Sequence, residues 1–502
     1  MNQAIYLNNK DQQMDTLMLV LSLLLVFILS ARAPLDTDMW WHLRAGETML
    51  ASGEPLLIDT FSFTRNGASW MNHSWLAQVG MALGFRGLGF GGLALGVSLT
   101  ACATMVLVWF QLKGNALIKA IWLVICAFFC SLVWAPRPQI LSLMFLAGLD
   151  VLINYSRQRN RKILWAIVPL FALWSNIHAG YSLGLILIAA YIAGDLYDWL
   201  TSGFSKKETG NLVVWAALGV FSTLVNPNGI NTWRVLFETV DVQALQQFIS
   251  EWASPDFHDF PQLLFLLFFM SCLFIFFQQK HRLSGEQLAK LIAFGLLAFY
   301  ARRNIAPFAV IIVPLAANSF DLILQNLITP NSPLEKMTEP AAQWFKRANR
   351  EEQPILIRLR KGINLFLVAV LFLAGIGKLY TVTQPLMMSR YLNDTYPVKG
   401  MAWLSANLPE GNLLNEYEWG GYLLWSYPTT PVFVDGRTDL YGDEILGDWI
   451  TLVQAGDNYQ QLLNRYKITT VMLRPSRPLV KLLALENWKI AYQDKQVVIL
   501  RR

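Results

Sequence analysis

Apolar residues fall in long unbroken blocks through most of this chain and in short alternating blocks near its end. Blocks at roughly 14–33, 91–112, 116–134, 138–154, 162–178, 180–199, 211–226, 261–279, 284–302, 304–324 and 362–382 are each about as long as a helix crossing a ~30 Å hydrocarbon layer. The pattern predicts a mostly α, polytopic bundle of about eleven spans over 1–382. Residues 74–90, rich in glycine and interrupted by Arg86, fit a helix lying in the membrane interface. Beyond Gln384 the period shortens. Asn412–Glu416, Pro431–Asp435, Thr469–Leu473 and Val497–Leu500 read as strands, and Leu423–Trp425, Ile445–Val453, Tyr459–Tyr466 and Leu479–Ala484 as parts of helices. Residues 383–502 are therefore expected to form a small soluble α/β domain.

Composition agrees: 54% hydrophobic, 15% charged and a mean hydropathy of +0.38 over 502 residues. The net charge of +6 does not indicate nucleic acid, because the cations sit in short links rather than on a basic face with interleaved aromatics. Arg157, Arg159, Arg161, Lys162, Lys206, Lys207, Lys280, Arg282 and the basic 336–361 linker fall on one side, which the positive-inside rule makes cytoplasmic. The opposite loops, 34–90 and 227–260, are acidic, carrying Asp36, Asp38, Glu47, Glu54 and Asp59, then Glu238, Asp241, Glu251, Asp256 and Asp259. The C-terminal domain shares their side. The cysteines all lie in apolar blocks without CxxC spacing, so neither a disulfide framework nor a zinc site is indicated. The weak charge before the first block favours an uncleaved span over a signal peptide.

Candidate chemistry gathers on the acidic side. Asp36-Thr37-Asp38-Met39-Trp40-Trp41-His42 follows the first span, and Trp70-Met71-Asn72-His73-Ser74-Trp75 follows soon after. Interfacial anchoring accounts for the tryptophans but not for the carboxylates, which are costly at a membrane boundary unless functional. Arg137, between two prolines, and the Arg302-Arg303 pair break the charge rule by lying on the acidic side. A phosphate suits guanidinium; snorkelling to headgroups, or pairing with Asp36 or Glu251, is the alternative. His178 in Asn176-Ile177-His178-Ala179-Gly180 reads as a turn cap or as a sugar or phosphate ligand. Glu251-Trp252 and Asp256-Phe257-His258 suit carbohydrate, with solvated loop chemistry as the alternative. Asp36, Asp38, His42, His73 and Glu251 together offer donors a divalent cation takes, yet no spacing matches a metal motif, so no cofactor is assigned. Nothing matches a P-loop, a G-x-S-x-G elbow or H-E-x-x-H.

With a first span, an acidic outer loop, an interfacial helix, a multi-span bundle and a soluble tail, the chain resembles the C-type glycosyltransferases. These are polytopic enzymes using polyprenyl-phosphate sugar donors, with a catalytic aspartate in the first outer loop. Asp38 matches that position, with Trp41 and His42 beside it. The chain is also similar to a group of bacterial membrane proteins sharing D-x-D-x-W-W-H-L-x-x-G-E (Asp36–Glu47), a His-containing turn (Trp174–Gly180), N-P-x-G (Asn226–Gly229), Y-x-W-G-G-Y (Tyr417–Tyr422) and V-F-x-D-G-R (Val432–Arg437). Met39 stands where protein mannosyltransferases carry the second residue of an Asp-Glu pair, and the W-W-D-x-G signature of oligosaccharyltransferases is missing, so no acceptor class carries over.

The resemblance implies a multi-pass protein of the bacterial cytoplasmic membrane. It would transfer a sugar from a polyprenyl phosphate to an extracytoplasmic glycan, lipid or protein acceptor, with inversion. Asp38 is then the general base, Asp36 orients the acceptor or a metal, and Trp41, His42, His73, Arg137, His178, Glu251, Arg302 and Arg303 bind substrate. The tail, through Asp435, Arg437 and Asp439, recognises the acceptor, unless Asp435 and Arg437 are a structural ion pair. The competing class is a non-catalytic scaffold or lipid-linked-glycan handling or transport protein of the same architecture. Transport is disfavoured because the ionisable groups lie chiefly at the outer rim.

Overall fold

A computed structural model describes residues 2–203, 208–235, 251–278, 283–327 and 354–502. Lys206, Lys207, Glu238, Asp241, Lys280, Arg282 and residues 336–353 of the basic linker lie outside the described residues. Every predicted apolar block is helical: α1 (Asn2–Ser30), α4 (Phe90–Trp109), α5 (Ala116–Cys130), α6 (Gln139–Gln158), α7 (Ile167–Ile177), α8 (Tyr181–Ser202), α9 (Glu208–Ser222), α10 (Phe260–Phe277), α11 (Gly285–Tyr300), α12 (Ile305–Leu327) and α13 (Pro354–Thr383). Among the described residues eight helices are long and apolar enough to cross a membrane, not eleven. The shortfall is α7, whose first turns are a 3₁₀ segment (Arg161–Ala166), together with α9 and α11, of 15 and 16 residues. Polar caps set several helix starts. Asn115 accepts from Ile118 N–H before α5, and Ser284 and Gln287 form a capping box at α11.

The first acidic loop folds into α2 (Met39–Ser52) and α3 (Trp75–Leu88), packed against each other, with Arg86 of α3 ion-paired to Glu47 of α2. After α13 come α14 (Pro385–Thr395) and α15 (Val398–Ala406). The rest of the tail interleaves β1 (Asn412–Asn415), α16 (Tyr417–Ser426), α17 (Thr438–Val453), α18 (Tyr459–Arg465), β2 (Ile468–Leu473), α19 (Pro478–Leu485), β3 (Lys489–Gln493) and β4 (Val498–Arg501). The sheet order is β1-β2-β4-β3, with β1 parallel to β2 and the other pairs antiparallel. Pro431–Asp435 is not a strand. Its backbone bonds go to the first loop instead, Phe63 N–H to Val432 O (3.1 Å) and Val432 N–H to Phe61 O (3.2 Å), leaving a single bridge.

Buried apolar residues form a bundle core, a tail core, and a third cluster in which Met39, Trp40, Trp41 and Trp70 of the first loop pack with Tyr396, Leu423, Val432 and Ile499 of the tail. Loop and tail are thus one packed body. The glycines of Y-x-W-G-G-Y permit this. A Cβ on Gly420 would lie 2.1 Å from Val434 O, and one on Gly421 2.7 Å from Thr37 O.

The sequence reading missed a second charged cluster, inside the bundle at the opposite end. Fully buried Lys290 of α11 binds Asp150 (2.7 Å) and Glu286 (3.0 Å); Arg157 binds Glu286 (2.9 Å) and Asp195 (2.7 Å). Tyr191 donates to Asp150 (2.6 Å) and stacks beneath both cations. These pairs satisfy one another and join α6, α8 and α11, as buried charge requires.

Candidate active site

The two aspartates of the D-x-D pair are fixed by a small turn. Asp36 Oδ1 accepts the Asp38 backbone N–H (2.9 Å), after which α2 begins at Met39. Both carboxylates then face Arg137, which the flanking Pro136 and Pro138 hold in the non-helical turn between α5 and α6. Arg137 Nε lies 2.5 Å from Asp36 Oδ1, and its Nη1 lies 3.1 Å from both Asp38 Oδ2 and Glu251 Oε2. Three carboxylates from two loops therefore share one guanidinium. Arg137 takes the ion-pair alternative.

Burial pushes the Asp38 carboxyl up to about 6; Arg137 opposes the shift, while Asp36 and Glu251 add to it. Burial also works against charge on Arg137, but Asp38, Asp36 and Glu251 outweigh it and raise its pKa. These carboxylates are the hard donors a divalent cation takes. Yet among the described residues no group of three or more His, Cys, Asp or Glu could hold a metal ion; the three carboxylates meet on the Arg137 guanidinium instead.

A cavity of about 750 Å³ opens beside Asp38. Trp41, His42, His73, Arg137, His178, Glu251 and Arg303 also line it, as do Leu143, Leu183 and Leu297 of the bundle. Of the predicted site residues, Asp36 and Arg302 do not. Asp36 is turned onto Arg137. Arg302 precedes Arg303 in a 3₁₀ turn (Arg302–Asn304) and contributes its backbone N–H to Ala253 O (3.0 Å). Asp256 and His258 also lie off the cavity, exposed and bonded to each other at 2.8 Å.

His178 caps the turn after α7 and faces the cavity as well. Its Nδ1 accepts Gly180 N–H (2.9 Å) and lies 3.0 Å from Ser142 Oγ, which accepts from Trp174 Nε1 (2.8 Å). His42 Nδ1 lies 3.3 Å from Gln78 Nε2, whose amide pairs both ways with Asn72 (2.8 and 2.9 Å). Burial lowers the His42 pKa, with Arg137 next in effect; burial also lowers that of His73, opposed by Asp439. Arg303 lies over the Trp252 ring at 4.5 Å and donates to Gln139 Oε1 (3.1 Å).

The tail closes the cavity with Glu416, Tyr417, Gly436, Thr438, Asp439, Trp449 and Arg477. Arg437 is structural. It is fully buried, paired with Asp435 (2.7 Å) and Asp59 (2.6 Å), and held between the Phe61 and Trp70 rings at 5.2 and 5.0 Å. Its neighbour Gly436 presses on Asp38. Tyr417 was missed as a site residue, although its motif was visible. Tyr417 lines the cavity, and Asp38 is among the charges that raise its pKa after burial.

No protein-family model matches the chain, and no curated protein matches it by sequence. Solved structures do. The oligosaccharyltransferase AglB from Archaeoglobus fulgidus, in complex with an inhibitory peptide and a dolichol-phosphate, superposes with a TM-score of 0.58 at 11% identity, over 90% of this chain and 69% of that one. The same organism's oligosaccharyltransferase tethered to an acceptor peptide with an NVT sequon gives 0.55 at 12%, over 91% and 69%. ArnT from Cupriavidus metallidurans bound to undecaprenyl phosphate gives 0.49 at 14%, over 97% of each chain. The chain has the polytopic, mostly helical C-type glycosyltransferase fold.

Proposed function

We propose that this protein is a membrane glycosyltransferase moving a sugar from a polyprenyl-phosphate donor to an extracytoplasmic acceptor with inversion. The observation that carries the reading is the meeting, in one cavity, of the Asp38 carboxylate, braced by Arg137, and the Arg303 guanidinium; burial pushes that carboxyl up to about 6. The fold shared with a dolichol-phosphate-bound transferase supports it. A base with pKa near working pH is ionised enough to act and basic enough to accept a proton.

Asp38 removes the acceptor hydroxyl's proton as its oxygen attacks the anomeric carbon. The bond to the phosphate oxygen breaks, and the leaving phosphate keeps the electron pair. A single displacement inverts the centre. Arg137 holds Asp38 in place through the shared ion pair, and Asp36 locks Arg137. Arg303 offsets charge on the departing phosphate, with His42, His73 and His178 as neutral donors, in a partly dry cavity where such contacts count most. The apolar lining from the bundle takes the first isoprenoid units. Residues 383–502 act as an extracytoplasmic unit that presents the acceptor opposite Asp38.

Asp38→Asn tests the reading in cells whose surface glycan changes on loss of the gene. The stably expressed variant should behave as the deletion; wild-type glycan would remove the catalytic role.

A further inference from the structure

Two cations outside the cavity have no part in the chemistry above. Arg32 follows the last turn of α1, and Lys378 lies near the end of α13. Both fall at the membrane face that carries the first loop, where cations run against the charge trend. Arg32 donates from Nε to Leu29 O (3.0 Å) and from Nη1 to Ser131 O (3.1 Å), and Lys378 Nζ donates to Ile28 O (2.6 Å). Both are thereby held on the closing turn of α1, whose last carbonyls lack helical partners. The two charges act on each other, and no carboxylate acts on either among the described residues.

Capping the helix end is the plainer account, and it covers only part of the observation. A helix C-terminus offers about half an elementary negative charge against two full positive ones. Nη2 of Arg32 and two N–H groups of Lys378 are left with no protein acceptor among the described residues. Beneath the pair the surface is apolar and open. Leu29 and Leu25, a turn apart on α1, are each 42% exposed, and Ile376 and Leu373 of the adjoining α13 are exposed too. Charge left over at the boundary of a hydrocarbon layer is costly. The anion that stands at that depth is a lipid phosphate, which guanidinium and ammonium both bind.

We infer that Arg32 and Lys378 form a binding site for an anionic phospholipid of the surrounding bilayer, its phosphate bridging the two cations and its acyl chains lying along Leu29 and Leu25. A phosphate between them relieves their mutual repulsion. The site is separate from the cavity, whose lining includes none of these residues, and the inference does not depend on the proposed transfer. It does reach the candidate active site through the chain. Arg32 precedes Asp36 by four residues, and its partner Ser131 precedes Arg137 by six, so an occupied site braces both turns that meet at the Arg137–Asp36 ion pair.

The test is titration of a short-chain phosphatidylglycerol and, separately, a phosphatidylcholine of equal chain length into the delipidated full-length protein in neutral detergent, with bound lipids counted by native mass spectrometry. The wild type should bind phosphatidylglycerol about tenfold tighter or better, from the attraction of two basic side chains. Arg32→Gln combined with Lys378→Gln keeps donors for the α1 carbonyls but removes the charge. This variant should carry one phosphatidylglycerol fewer at the same concentration, whereas Lys399→Gln, at an exposed cation of α15, should carry as many as wild type. If the double variant fails to fold, Lys378→Gln alone leaves the Arg32 bridge to Ser131 in place and should weaken binding at least about threefold. Equal affinity for the two lipids in the wild type, or equal phosphatidylglycerol counts in wild type and glutamine variants, overturns the inference. So does a polyprenyl phosphate that binds this site more tightly than phosphatidylglycerol, since the site would then belong to the sugar carrier rather than to the bilayer.

Discussion

Gly436 lies so close to Asp38 that a Cβ built on its backbone would sit 1.9 Å from the carboxylate Oδ1 and 2.8 Å from Trp41 Nε1. The tail therefore forms one wall of the candidate base's own environment. Gly436→Ala should push the carboxylate off Arg137 and lower transfer at least about tenfold, by the sensitivity of catalysis to small displacements. Lipid-phosphate binding through Arg303 should persist. Unimpaired transfer in Gly436→Ala membranes would show that Asp38 has slack.

The raised Asp38 pKa has opposite consequences for activity and stability. Transfer should rise with pH through about 6 as the carboxylate ionises, and fall below it. For stability, the folded protein holds this proton to about pH 6, whereas an unfolded aspartate releases it near pH 4. The contribution is thus full below about pH 4 and lost as pH rises through 6. Asp38→Asn should be more stable than wild type above pH 6, on the order of 1–3 kcal/mol, and equal to it near pH 4. Thermal unfolding across pH 4–8 would show a converging pair of curves; parallel curves would refute the shift.

Removing Arg137 strands Asp36, Asp38 and Glu251 around a vacant centre. Arg137→Ala should cost about 3–5 kcal/mol, the usual penalty for leaving buried charge unpaired. It should also make the protein newly responsive to divalent cations: Mg²⁺ or Ca²⁺ should raise the variant's unfolding temperature but not that of the wild type. Chelation should leave wild-type lipid binding unchanged. Equal cation responses would mean that Arg137 does not stand at the cation position.

Arg437 fixes the turn that carries Gly436, through Asp435 and Asp59. Arg437→Met should destabilise the chain by about 3–5 kcal/mol, and limited proteolysis should release the tail from the first loop. Protection equal to wild type would demote the pair to a local contact.

Much of this was legible in sequence because charge placed against a trend is informative. Arg137 and Arg303 stood out by opposing the loop charge, and both line the cavity with Asp38. Arg302 stood out equally and does not, since a turn aims adjacent side chains apart. Hydropathy could find helices but not the depth of their partners, so the Lys290–Asp150 pair, from distant helices, left no local trace. Strand β3 was invisible because its residues are mostly exposed and show no alternation. The segment at Val432 looked like a strand for a sound reason: it does pair, but with a loop far away in sequence. Tyr417 had no distinguishing neighbour until the fold brought Asp38 to it.

The core shared by the first loop and the tail also makes the surroundings of Asp38 a joint product of distant sequence. The aspartate pair lies at positions 36 and 38, but the wall against which Asp38 rests comes from Gly436, and β4 of the sheet behind that wall spans Val498–Arg501, between β2 and β3. A change that unseats β4 is therefore felt at a carboxyl about 460 residues away along the chain.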